Sequence, residues 1–161
     1  MKNKIKAFIT QSFKSTGKYF LGKTITSLLI IVICLIIFVL LDIKLIPIIL
    51  ILIFFTNFIP IFGPWIGTVI SGVIVLFQSP LQALYAVITL LILQIIEQFL
   101  LIPLIIGKAV DVKPLFVVVI LILSSVFLGF WGVLFAIPLA SIIKIGYTIF
   151  IRKKDSQSLK P

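Results

Sequence analysis

The sequence predicts an all-α, polytopic integral membrane protein, and three observations carry that prediction. Of 161 residues, 62% are hydrophobic and 11% charged, with a mean hydropathy of +1.41. A soluble domain is nearer half apolar and a quarter charged, so too little polar surface remains here to cover a water-soluble core. Several apolar runs reach the roughly 18–20 residues that cross a bilayer. The basic residues flank those runs: six lysines lie in the first 23 positions, and Arg152, Lys153, Lys154 and Lys160 close the chain. Basic tails beside apolar spans mark the cytoplasmic side of a membrane more often than a nucleic-acid site. The expected partner is therefore the lipid bilayer, with no nucleic acid.

Residues 2–18 carry Ile5, Phe8, Ile9 and Phe13 at helical spacing among the lysines. That is the pattern of a basic amphipathic helix on an anionic membrane surface. Gly17 to Thr24, GKYFLGKT, matches the phosphate-loop pattern letter for letter. Its context fails. No buried strand precedes Gly17, Tyr19 and Phe20 are bulky, and an apolar span follows rather than an α/β sheet. Lys23 is read as a juxtamembrane charge that arginine could replace.

Phe20 to Leu41 is the first span, roughly 33 Å long at 1.5 Å per residue. Asp42 to Lys44 is a minimal polar turn. The run from Leu45 to Ile59 is short and ends in Asn57-Phe-Ile-Pro60-Ile-Phe-Gly63-Pro64-Trp-Ile-Gly67, whose prolines and glycines break a helix. A second short run, Trp65 to Phe77, stops at Gln78-Ser79-Pro80, where Ser79 suits an N-cap and Pro80 a first helical turn. Pro80 to Ile102 is a full span. Gly107, Lys108, Asp111 and Lys113 form a loop, Leu115 to Leu128 is again short, and Gly129-Phe-Trp131-Gly132 breaks it. Val133 to Phe150 runs to the basic tail with Pro138 and Lys144 inside. The domains expected are a basic amphipathic juxtamembrane segment (1–19), a transmembrane helical domain (20–150) and a basic cytoplasmic tail (151–161).

One long span followed by two short runs joined at a glycine/aromatic break occurs twice. Short, Gly/Pro-interrupted segments at corresponding positions of two halves point to a transport site made from broken helices. The pattern predicts four to six apolar helical segments. It leaves open whether they include two broken re-entrant hairpins or form six ordinary spans with tight turns. Both arrangements put the termini and the 107–113 loop inside, and Asp42–Lys44 and Ser79–Pro80 outside.

Glu97 is the one acid well inside an apolar run, with Gln94 and Gln98 at i−3 and i+1, so the three are expected on one helix face. A carboxylate in hydrocarbon costs roughly 2–4 kcal/mol on insertion scales, so it should face protein or water. Two roles follow. Glu97 can couple a cation or proton to transport, with Gln94 and Gln98 as polar ligands, or it can form an ion pair with Lys144, which sits at similar depth. With no histidine and one cysteine, Cys34, no metal site, disulfide or cofactor is expected. Nothing resembles a nucleophile–base pair or paired carboxylates, so no enzyme is expected.

Four segments, in this order and spacing, resemble the C-terminal half of the autoinducer-2 exporter-like family of bacterial permeases. They are Asn57 to Pro64, the Gln94…Glu97 face leading to Pro103-Leu-Ile-Ile-Gly107, Pro114-Leu, and Gly129-Phe-Trp-Gly132 with Ile137-Pro138-Leu-Ala140. The resemblance implies a multi-pass permease of the bacterial inner membrane that moves a small solute or cation, coupled to protons or sodium. It also implies a homo-oligomer, and it favours re-entrant hairpins at Asn57, Pro60, Gly63, Pro64 and Gly67 and at Gly129, Gly132 and Pro138. Family members are usually about twice this length, with Met1 falling where their central region ends. A fragment, a split gene pairing with a missing N-terminal half, or a non-transporting accessory subunit is the alternative expectation.

Overall fold

The structure, a computed structural model, describes residues 2–106 and 113–152; residues 107–112 of the expected 107–113 loop, with Lys108 and Asp111, and the tail beyond Arg152 lie outside the described residues. Every regular element among the described residues is helical. The first, α1, runs unbroken from Lys2 to Leu40, about 58 Å at 1.5 Å per residue. No break separates the amphipathic start from the first span. Gly17, at the expected boundary between them, sits within the helix with open space around it. The helix holds together along a seam: Ser12, Ser15, Tyr19, Lys23, Thr26, Ile30, Cys34 and Phe38 are buried at spacings of three and four. A seam of that period follows one face of an α-helix.

The chain divides into two compact units, Gly22–Gly107 and the pair of segments Met1–Leu21 and Lys108–Pro161. In the first, the last half of α1 is followed by α2 (Ile46–Thr56), α3 (Gly63–Leu76) and α4 (Pro80–Ile96). The α4 helix continues as a π-helical stretch, Glu97–Ile106, with Pro103 inside it. The 11 residues of α2 and 14 of α3 reach only about 16 and 21 Å, short of a roughly 30 Å hydrocarbon core. They form a hairpin whose arms cross closely: a Cβ on Gly63 would land on the carbonyl oxygen of Thr56. Prolines open all three helices, where a missing N–H costs nothing. Ser79 has the extended backbone of an N-cap, but its side chain makes no capping bond.

The turn between α1 and α2 is tied by glutamines. Gln78 accepts from the Lys44 N–H at 2.7 Å and donates to its carbonyl at 3.1 Å, and Gln82 donates to the Leu41 carbonyl at 2.9 Å. Between the helices lies one apolar core that includes Ile30, Cys34, Phe38, Ile49, Val75 and Leu90. On α4 the buried positions are Ala83, Ala86, Leu90 and Leu93, again three and four apart, while Leu81, Leu84, Ile88, Ile92 and Ile95 are exposed. A helix that is apolar on its packed face and on its outer face has hydrocarbon as its solvent. By length and composition three helical segments suffice to cross a membrane, Lys2–Leu40, Pro80–Ile105 and Leu115–Leu134, although the last is kinked at Gly129.

In the second unit, α5 spans Pro114–Leu134 and α6 spans Ala136–Tyr147, with a π-helical end at Thr148–Arg152. Gly129 interrupts α5 with φ 56° and ψ −134°, a conformation that suits glycine. The chain turns back there. Eight residues of straight helix would hold Ser124 and Gly132 about 12 Å apart, yet the Ser124 hydroxyl donates to the Gly132 carbonyl at 2.8 Å. A Cβ on Gly132 would land on the Ser124 carbonyl oxygen, as at Gly63 and Thr56. The α6 helix runs antiparallel to the start of α1: Phe20 meets Phe135, Ser15 bonds Ser141 at 2.6 Å, and Phe8 meets Phe150. Both breaks anticipated from glycine and aromatic residues are chain reversals with a hydroxyl residue opposite a glycine.

Candidate functional site

Glu97 continues the seam of α4 (83, 86, 90, 93, 97) and is 1% exposed. It is the first residue of the π-helical stretch, a local widening often found at functional sites. Its carboxylate is paired with Lys23: Nζ lies 2.6 Å from Oε1. The same Oε1 accepts from Asn57 Nδ2 at 3.1 Å and from the Thr26 hydroxyl at 3.3 Å. Lys23 also donates to Asn57 Oδ1 at 3.1 Å, and Asn57 Nδ2 donates to Ser27 Oγ at 2.9 Å. Asn57 thus bridges both members of the pair. It can do so because it is the first residue past α2, at the tip of the hairpin, where the chain leaves the helix facing α1 and α4. A buried ion pair persists only when further hydrogen bonds satisfy it, and this one has them.

Gln94 lies one turn before Glu97. Its Nε2 donates to the Pro64 carbonyl at 3.0 Å and to Thr68 Oγ1 at 2.6 Å, tying α3 to α4. Asn57, Pro64, Gly67, Thr68, Gln94 and Glu97 share a small cavity of about 20 Å³, counted as room for the centre of a water-sized sphere. That is enough for a single water. The amide groups of Asn57 and Gln94 and the Thr56 hydroxyl donate to protein partners, and the Thr68 hydroxyl accepts from Gln94. Among the described residues, no hydrogen bond reaches Glu97 Oε2 or Gln94 Oε1. The cavity therefore offers acceptors.

Several expectations change at this site. The ion pair of Glu97 is with Lys23, whereas Lys144 is an exposed residue of α6. Lys23 is no peripheral anchor but 6% exposed, held on the buried seam of α1 by Tyr19 and Thr26 on either side. Gln98 does not join Gln94 and Glu97; it is exposed, because the buried seam steps from 93 to 97 and leaves 98 on the outer side. Of the hairpin residues, Pro60 and Gly63 are buried in the turn beside the cavity. Gly129, Gly132 and Pro138 belong to the other unit. Lys23, Thr26, Ser27, Thr56 and Thr68 were not anticipated. The signal for Lys23 and Thr26 was present in the spacing 19, 23, 26, 30, 34 of the seam they share.

The sequence profile of a known family, described as AI-2E family transporter, matches residues 1–152. This chain belongs to the AI-2E transporter family. Among curated relatives, "Putative transport protein YueF" of Bacillus subtilis (strain 168) is 34% identical over 97 residues, 60% of this chain and 26% of the relative. "Putative transport protein YrrI" of the same organism is 33% identical over 99 residues, 62% of this chain and 28% of its own. "Putative permease PerM" of Escherichia coli (strain K12) is 43% identical over 54 residues, 34% of this chain and 15% of its own. The matched stretch thus spans about a quarter of the Bacillus relatives' length. No solved structure matches. Family membership and the apolar helices together make this AI-2E family chain a multi-pass membrane protein of a transport family. The autoinducer-2 resemblance read from the four segments agrees with the profile match.

Proposed function

We propose that this chain forms the ion-coupling core of a secondary transporter, with Glu97 as the coupling carboxylate and a small solute or cation as cargo. Protons or sodium are the coupling ions. One observation carries the reading: a buried Lys23–Glu97 pair lies at the tip of a broken helical hairpin, beside a cavity of unclaimed acceptors. Ionisable groups in a membrane interior are costly and mark pathways more often than they add stability. Broken helices near the midplane are where transporters build such sites. Both hairpins are re-entrant in this reading, since neither arm of α2/α3 is long enough to span. Gln94 holds the hairpin rather than the ion.

Glu97→Gln tests this. Glutamine keeps the size and much of the hydrogen bonding but cannot ionise. Concentrative flux that depends on pH or sodium should be lost while the protein still inserts and purifies as a folded species. Unchanged ion-coupled flux in a folded Glu97→Gln protein sinks the role. A second reading, an accessory subunit without transport of its own, draws on the quarter-length match to the relatives. Flux by the purified chain alone, reconstituted in vesicles, decides against it.

The orientation follows from the lysines. Both termini lie in the cytoplasm in this reading, on the side of Lys113, with Lys44 opposite. In a Cys34→Ala background, Lys113→Cys is expected to react with a membrane-impermeant thiol reagent only from the inside and Lys44→Cys only from the outside. Reaction of both from one side refutes the assignment.

A further inference from the structure

Asn57 holds more of the site together than its place just past a short helix suggests. It is 3% exposed, and its amide touches all three neighbours: Lys23 and Ser27 on α1 and Glu97 on α4. The other arm of the hairpin is tied once more, by Gln94 to Pro64 and Thr68. Between these two ties lies the cavity, whose lining includes Thr56, Asn57, Gly67 and Thr68 from the hairpin and Gln94 and Glu97 from α4. The turn beyond Asn57 is strained: Ile61, a β-branched residue, has φ 65° in the left-handed region. A strained turn persists when its surroundings hold it, and the polar ties supply that hold.

We propose that Asn57 is a positioning residue that latches the tip of the α2/α3 hairpin over the cavity, so that the hairpin and the Lys23–Glu97 pair open as one event. The argument is one of shared atoms. Glu97 Oε1 accepts from both Lys23 and Asn57, and Asn57 Oδ1 accepts from Lys23. Lifting the tip removes two of the hydrogen bonds that make the buried pair tolerable. Separating the pair takes at least one partner from a buried amide that otherwise keeps only Ser27 beside it. Neither step is favourable alone. The cavity beneath is water-sized and lined with free acceptors, so the opened tip admits a small hydrogen-bond donor or cation to the face of Glu97 that Lys23 does not occupy. The inference takes its purpose from the transport reading, but the latch is measured without any flux, so either can fail while the other stands.

The test is access to the cavity. In a Cys34→Ala background, Thr68→Cys reports on the cavity and Ile49→Cys, fully buried near the start of α2, reports on the packed body of the hairpin. Both should react slowly with a small water-soluble methanethiosulfonate. Asn57→Ala is expected to raise the Thr68→Cys rate about tenfold or more, the scale of losing a hydrogen bond to a charged group, and to leave the Ile49→Cys rate unchanged. Glu97→Gln with Lys23→Met should raise the Thr68→Cys rate as much, and adding Asn57→Ala to that pair should add little. If Asn57→Ala does not fold, Asn57→Asp keeps the shape and turns the bond to Glu97 into a repulsion, and it should open the cavity likewise. An unchanged Thr68→Cys rate in a folded variant overturns the latch. So does an equal rise at both reporters, which marks general loosening, and so does full additivity of the changes.

Discussion

Methionine at position 23 is expected to destabilise the protein by about 3–5 kcal/mol, and adding Glu97→Gln is expected to recover most of that loss. The Lys23 and Glu97 side chains are 8% and 1% exposed, so neither charge can fall back on water when its partner is removed. In the single variant the Glu97 charge remains in the interior with only Thr26 and Asn57 to donate to it. In the double variant no charge remains, and an apolar group and an amide fill the same space. Lys23→Arg keeps the charge but forces a larger, planar guanidinium into a packed site, at about 1–3 kcal/mol. Denaturant unfolding in detergent measures all three. If Lys23→Met alone stays within about 0.5 kcal/mol of the parent, as a surface change would, the pair is not buried in the working protein.

The glycines at the two reversals should be nearly as sensitive. Alanine at position 63 or 132 places a methyl group on a backbone carbonyl, that of Thr56 or Ser124, which cannot swing aside as a side chain could. Each change is expected to cost about 1–3 kcal/mol or more, since the arms must separate along their length. Gly17 provides the control. It lies within α1 with nothing near its would-be Cβ, so Gly17→Ala should stabilise by about 0.5–1 kcal/mol through helix propensity. Thermal unfolding of the three variants side by side would show two losses and one gain. Three equal shifts would mean that the arms do not cross as described.

Much of this architecture could be read from the chain itself, because bilayer thickness is a strict ruler. Runs too short to span, interrupted by Gly63 and Gly129, announced the two reversals, and a solitary acid in an apolar run announced Glu97. Its partner was harder to see. The sequence neighbours of Lys23 are a basic segment and a chance phosphate-loop pattern, whereas its role depends on helix phase. Tyr19, Lys23, Thr26, Ile30 and Cys34 form one stripe that puts the charge on the packed side, and this stripe crosses the boundary expected between a surface helix and the first span. Lys144 matched Glu97 in depth, but depth counted along the chain says nothing of which way a side chain points. Gln98 is exposed for a related reason: the buried stripe of α4 runs through 90, 93 and 97, and position 98 falls beside it in the wider π-helical turn. Asn57 looks in sequence like part of a break, and its bonds to Lys23, Ser27 and Glu97 come from tertiary packing that no local pattern encodes.

The Lys23–Glu97 pair also bears on how the membrane potential acts on this protein. Closed at 2.6 Å, the two charges cancel, and a transmembrane voltage exerts almost no net force on them. Each elementary charge carried across the full field at 100 mV is worth about 2.3 kcal/mol. A step that merely exchanges the partners of Glu97 at one depth is therefore electrically silent. A step that carries Lys23 and Glu97 apart along the membrane normal does electrical work, and its rate would steepen with voltage.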